Sequence, residues 1–132
     1  PRGKKDMAWE LSSSGFLMTL SGYIPDLIAE DFEQLILRAL QSAGIGKEQI
    51  TRWCIHPGGK KILEAAKKSL HLNDEALYPS LEILQQFGNM SSPTILFVLK
   101  KIIRDAGRSG RKILGAAFGP GLTMETFVGE LR

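Results

Sequence analysis

Residues 52–59 read Arg-Trp-Cys-Ile-His-Pro-Gly-Gly, and they decide the fold because they describe one strand and its abrupt end. The run from Arg52 to Ile55 predicts a short apolar strand, and Pro57-Gly58-Gly59 predicts a sharp turn after it. The apolar residues that follow recur at helical spacing: Ile62, Leu63, Ala66 and Leu70. We therefore predict a strand-turn-helix unit with His56 at the turn.

Upstream of this unit, the pattern predicts a hairpin and then a long helix. Met7 to Leu11 and Phe16 to Leu20 flank a polar Ser-Ser-Ser-Gly turn, which is typical of two short strands. From Pro25 to near Gly44, apolar residues recur at intervals of three and four, which predicts one helix. Residues 1–6 are expected to be a connector from a preceding domain, and residues 7–132 the domain itself.

Downstream, two more helices are predicted. The first runs from about Pro79 to Phe87, with Asp74 or Ser80 as candidate caps, and stops at Gly88, so that Asn89 lies in a turn. The second begins at Ser92-Pro93, and its wide apolar face predicts a central position in the fold.

The C-terminal part is predicted to hold two strands. A charged loop at residues 107–110 precedes a buried strand from Lys112 to Phe118, and a last strand runs from Leu122 to Val128. Between them, Gly119-Pro120-Gly121 predicts a tight turn. The alternation of strands and helices predicts an α/β fold, a mixed sheet covered by helices, with any chemistry in the loops at the strand ends.

Composition narrows the class of protein. With 132 residues and 43% hydrophobic content, the chain is long enough for one domain with a core. A net charge of +3 from 17 basic and 14 acidic side chains is too mild and too scattered to predict nucleic-acid binding. The single cysteine, Cys54, excludes an internal disulfide and favours a cytoplasmic location, and no apolar run is long enough to predict a membrane span or a signal peptide.

His56 and Asn89 are the candidate catalytic residues. Each lies in a glycine-flanked turn next to a hydrophobic segment, where an imidazole and a carboxamide can hold a developing oxyanion. Taken alone, His56 is better explained as a hydrogen-bonded structural histidine, and Asn89 can simply fill a left-handed turn position. The sequence shows no obvious nucleophile, because Cys54 lies between apolar neighbours and is expected to be an inert core residue.

Taken together, the motifs resemble the C-terminal domain of the chalcone and stilbene synthases, which are type III polyketide synthases. The resemblance covers nearly everything after Asp6 and has four ordered blocks: Trp53 to Gly59, Gly88 to Ser92, Leu96 to Leu99, and Phe118 to Thr126. It implies a thiolase-like C-terminal half in which His56 and Asn89 match the family's catalytic histidine and asparagine. The nucleophilic cysteine would then belong to the missing N-terminal domain.

The resemblance also implies an activity and a set of binding residues. The full-length protein would be an acyltransferase of the chalcone synthase type that condenses an acyl-coenzyme A starter with malonyl-coenzyme A by decarboxylative extension. This chain alone would be inactive, and no cofactor is implied beyond the coenzyme A thioesters used as substrates. The matched substrate-pocket positions are Met18, Ser91, Phe118, Gly119, Pro120 and Gly121, and the coenzyme A-binding positions are Gly58 and Gly59. No metal site is implied.

Two residues depart from the family pattern, which leaves the product open, and two alternative functions also stay open. Met18 stands where plant chalcone synthases have a bulky phenylalanine, and Ala117 replaces a glycine, so the sequence leaves open a chalcone-type product and a small polyketide such as an alkylpyrone or alkylresorcinol. The alternative functions are a ketoacyl synthase of the third type and a non-catalytic acyl- or coenzyme A-binding module. The expected partners are acyl-coenzyme A, malonyl-coenzyme A, the missing N-terminal domain and a second copy of the protein, without nucleic acid or membrane.

Overall fold

The computed structural model describes residues 7–13, 15–20, 22, 24–105 and 111–131. The expected connector at residues 1–6 and the expected charged loop at 107–110 lie outside these residues. The described elements are β1 Met7–Ser12, β2 Gly15–Leu20, α1 Ile24–Ala43, β3 Ile50–Ile55, α2 Lys60–Ser69, α3 Asp74–Phe87, α4 Pro93–Asp105, β4 Arg111–Gly119 and β5 Thr123–Leu131. The predicted α/β class is confirmed.

Two sheets are formed by the described strands. β1 and β2 pair antiparallel as the predicted hairpin, with Met18 opposite Trp9. In the second sheet β4 is central: it pairs parallel with β3 and antiparallel with β5. The predicted mixed sheet is therefore confirmed, and its two parallel strands end at the same edge.

Successive side chains of β3 point to opposite faces of the mixed sheet, and each face has its own apolar cluster. Trp53 and Ile55 belong to the larger cluster, together with residues of α1 and α2. Cys54 points to the opposite face and packs with residues of α3, α4 and β4: Ile83, Val98, Ile102 and Ile113. Helices thus cover both faces of the sheet.

The helix that precedes Asn89 begins earlier than predicted. α3 starts at Asp74, and the Asn73 side chain caps it by accepting a hydrogen bond from the Ala76 N–H at 2.9 Å. Pro79, the predicted first residue, lies inside the helix, where it forfeits one backbone hydrogen bond near the first turn. The C-terminal end at Gly88 is confirmed: Gly88 has a φ of 70°, which a side chain would disfavour, and its N–H donates to Leu84 O.

The central position predicted for α4 is wrong for the described chain. Only part of the helix is buried, while Leu96, Phe97 and Ile103 are exposed by 63%, 40% and 52%. On its inner side, Lys101 Nζ lies 2.8 Å from Glu82 Oε2 of α3, an ion pair that fixes the two helices flanking the Asn89 loop. α4 therefore lies at the surface with an apolar outward face. None of the described helices is long and apolar enough to cross a membrane.

Candidate active site

His56 follows the last residue of β3, at the edge where the two parallel strands end. Its backbone N–H donates to Ala116 O at 2.8 Å, which extends the pairing of β3 with β4 by one residue. The residue is only 6% exposed, and burial lowers its pKa below the usual value. The imidazole is therefore neutral at neutral pH, the form that accepts a proton from an acid.

The buried side chain of Ser80 supports this strand end. Ser80 was predicted as a possible helix cap, but it lies inside α3, fully buried, and its hydroxyl donates to Ile55 O at 2.6 Å. The hydrogen bond joins α3 to the residue just before His56. It spans 25 residues along the chain, so no local sequence signal could have revealed it.

Asn89 lies in the loop between α3 and α4, as predicted, and the structure brings it to the His56 turn. Its Nδ2 donates to Gly58 O at 3.1 Å, two residues after His56, and its Oδ1 accepts from the Ser91 N–H at 2.8 Å. The turns that carry the two predicted catalytic residues are thus joined by a hydrogen bond at one edge of the sheet. Among the described residues, one hydrogen of the carboxamide has no acceptor and remains available for a further one.

The two predicted coenzyme A-binding glycines form the turn that joins His56 to α2. Gly58 N–H donates to His56 O at 3.0 Å, and Gly59 O accepts from the backbone of Ile62 and Leu63 at the start of the helix. A Cβ added at Gly59 would have no heavy atom within 4 Å among the described residues, and one at Gly58 would make only ordinary contacts. The described chain therefore has no steric need for these glycines, and the backbone is open to close approach.

The predicted pocket loop lies at the same sheet edge, since it follows the strand that pairs with β3. Gly119 ends β4, and Pro120–Leu122 forms a short 3-10 turn against which β1 lies. The Phe118 ring packs on Phe32 of α1, with centroids 5.3 Å apart. Gly121 has a φ of 70°, so the turn itself favours glycine there.

The remaining predicted pocket residues are placed only in part. Ser91 is exposed and lies beside Asn89. Met18 lies in β2, and its side chain is outside the described part of the structure, as is that of Pro120. Among the described residues, no group of three His, Cys, Asp or Glu side chains could hold a metal ion.

Cys54 is two residues from His56 but has the properties of a core residue. It is fully buried, its Sγ lies 3.7 Å from Ile95 O, and burial raises the pKa of its thiol to about 12. Because the thiolate is the reactive form, the sulfur is inert at neutral pH.

We expect the folded chain to take up neither iodoacetamide nor an acyl group from an acyl-coenzyme A at Cys54. Mass spectrometry of the intact chain checks this. As the control, the same reaction in denaturant should label Cys54, which shows that the thiol itself can react. An acyl adduct on Cys54 in the folded chain would overturn the assignment.

Comparison with known proteins decides the family. The sequence model described as chalcone and stilbene synthases, C-terminal domain, matches residues 1–131. This chain belongs to that family. The fold of this chalcone and stilbene synthase C-terminal domain is also similar to the crystal structure of PKS-I from the brown alga Ectocarpus siliculosus, with a TM-score of 0.89 and 28% sequence identity. The alignment covers 96% of this chain and 36% of the PKS-I chain.

Proposed function

We propose that this chain is the C-terminal half of a type III polyketide synthase, in which His56 and Asn89 act on coenzyme A thioesters. The proposal is supported above all by the hydrogen bond from Asn89 Nδ2 to Gly58 O, which ties the carboxamide to the turn that carries His56. The family match over residues 1–131 and the likeness to PKS-I support the same activity. The inert Cys54 supports a nucleophile supplied by another part of the protein.

The reaction divides into loading, decarboxylation and condensation. In loading, a cysteine of the N-terminal half gives its proton to the neutral His56 and attacks the starter thioester; coenzyme A leaves as its thiolate and takes a proton from solvent, so His56 keeps the hydrogen that it later donates. Malonyl-coenzyme A then loses carbon dioxide, and the electron pair of the broken bond forms an enolate. The enolate carbon attacks the acyl-cysteine thioester, which forms the new carbon-carbon bond and releases the cysteine thiolate.

His56 and Asn89 stabilise the enolate oxygen in this scheme. The buried His56 imidazole and the free Nδ2 hydrogen of the exposed Asn89 donate to it, and donors whose orientation is already fixed need little reorganisation as the charge develops. Asn89 is held at both ends of its carboxamide, which supplies that fixed orientation.

An assay of the full-length protein tests the proposal. It is incubated with malonyl-coenzyme A and a panel of aromatic and aliphatic acyl-coenzyme A starters, and products and free coenzyme A are measured by liquid chromatography and mass spectrometry. We expect a polyketide pyrone, resorcinol or chalcone with at least one starter. Binding of thioesters without any decarboxylation would instead favour the non-catalytic acyl- or coenzyme A-binding module.

The open backbone at Gly59 is proposed as part of the coenzyme A-binding surface. Gly59→Ala adds a methyl group where the described chain leaves space, so a bound thioester would be displaced while the fold is kept. We expect KM for the acyl-coenzyme A to rise at least about fivefold. Gly129→Ala is the matched control, because Gly129 also has open space around it and lies on β5. An unchanged KM in Gly59→Ala would exclude close approach at this turn.

The outward face of α4 is proposed as the surface that the N-terminal half covers. Leu96 and Ile103 are more than half exposed, and the Phe97 ring packs at a tilt against the exposed Phe87 ring, with centroids 5.6 Å apart. Such a patch rarely stays open to solvent, so the isolated chain is expected to self-associate. In light scattering, Leu96→Glu should reduce the association, whereas Leu11→Glu, at a position 79% exposed on β1, should not. A strictly monomeric wild-type chain would contradict this assignment.

A further inference from the structure

The loop that carries Asn89 is held by a threonine that the proposed mechanism does not use. Thr94 lies in the first turn of α4 and is fully buried. Its Oγ1 donates to Ser91 O at 2.8 Å and accepts from the Met90 N–H, also at 2.8 Å. The hydroxyl therefore forms its two hydrogen bonds with the two residues that directly follow Asn89.

Ser91 has a backbone conformation that needs such support. Its φ is 63°, in the left-handed region that is disfavoured for residues with a Cβ. The carbonyl oxygen of Ser91 accepts from Thr94 twice, from the backbone N–H at 3.0 Å and from the hydroxyl at 2.8 Å. A disfavoured conformation of this kind persists only where the surroundings fix it, and here Thr94 supplies two of the fixing bonds.

The conformation of Ser91 in turn orients the Asn89 carboxamide. The Ser91 N–H donates to Asn89 Oδ1, and the Nδ2 of the same carboxamide donates to Gly58 O. With both ends held, the plane of the carboxamide is set, and its remaining hydrogen has one direction. A change in the backbone conformation of Ser91 would therefore turn the remaining Nδ2 hydrogen of Asn89 in another direction.

We propose that Thr94 is a positioning residue for Asn89: its buried hydroxyl holds Ser91 in the left-handed conformation, and Ser91 then fixes the direction of the Asn89 N–H donor. This rests on the proposed function, in which that donor stabilises the enolate oxygen. Thr94 touches no substrate in this scheme and acts only through the loop.

The first test compares Thr94→Val with Thr94→Ser in the full-length synthase. Valine keeps the shape of threonine but lacks the hydroxyl, whereas serine keeps the hydroxyl. Since small displacements of a catalytic group can cost up to about 100-fold in rate, we expect Thr94→Val to lower kcat for malonyl-coenzyme A decarboxylation at least about tenfold. KM and the rate of starter loading should stay within about twofold of wild type, and Thr94→Ser should restore kcat.

The second test is a double-mutant cycle with Asn89→Ala. If Thr94 acts through Asn89, then Thr94→Val should cause no further loss of kcat once the carboxamide is gone. A merely structural role would lower the activity by the same factor in both backgrounds. If Thr94→Val fails to fold, Thr94→Ala takes its place in both tests with the same expected results.

The outcomes separate this inference from the proposed function. If Asn89→Ala lowers decarboxylation by about 100-fold or more while Thr94→Val keeps wild-type kcat, the positioning role is wrong and the synthase mechanism stands. Equal losses in both backgrounds, or failure of both hydroxyl-free variants to fold, also reject the positioning role. If the wild-type full-length protein decarboxylates no malonyl-coenzyme A, the proposed function itself fails.

Discussion

Asn89→Ala in the full-length synthase is expected to lower the rate of malonyl-coenzyme A decarboxylation by about 100-fold to 1,000-fold, the usual loss when one oxyanion donor is removed. Alanine removes the free Nδ2 hydrogen and also releases the carboxamide bonds to Gly58 and Ser91. The rate is measured as carbon dioxide released from radiolabelled malonyl-coenzyme A.

The loading step separates the role of Asn89 from that of His56. Asn89→Ala should still load the starter acyl group on the N-terminal cysteine, because the proton acceptor His56 is intact. His56→Ala should lose both loading and decarboxylation. Gln86→Ala is the matched control: it removes an exposed carboxamide from the end of α3, bonded only to Glu82 among the described residues. Decarboxylation by Asn89→Ala within about twofold of wild type would contradict the donor role.

Phe32→Ala is expected to lower the free energy of unfolding of the chain by about 3–5 kcal/mol, the range for truncating a buried phenylalanine. Phe32 is fully buried in α1 and contacts the Phe118 ring at the end of β4. The cavity would therefore open next to the strand that leads into the Gly119-Pro120-Gly121 turn.

Urea unfolding followed by circular dichroism measures this loss. Leu37→Ala lies in the same helix at a position 42% exposed, so it should cost much less than Phe32→Ala. Equal losses in the two variants would show that α1 does not pack on the sheet as described.

The sequence predicted the parts of the site that depend on local patterns. Pro57-Gly58-Gly59 predicts a strand end and Gly88 predicts a helix end, so the sequence alone predicts the turns that carry His56 and Asn89. The start of α3 was missed because Pro79 suggested a first turn. The true signal, Asn73 followed by Asp74 and Glu75, is a helix cap with acidic residues in the first turn.

The contacts that hold the site could not be predicted in the same way. The bond from Ser80 to Ile55 joins residues brought together only by packing of α3 on β3. The Thr94 bonds depend on a left-handed serine, which no propensity favours. The apolar face of α4 was visible in the sequence, but periodicity does not say whether such a face is covered within the same chain or by another part of the protein.

The central claim is that the His56 imidazole and the Asn89 carboxamide face one thioester oxygen. A crystal structure of the full-length protein with bound acetoacetyl-coenzyme A tests it most directly. We expect a ring nitrogen of His56 and Nδ2 of Asn89 both to lie within about 3.2 Å of the same carbonyl oxygen. If the two side chains instead point into separate cavities, or if the thioester binds away from both, the account is contradicted.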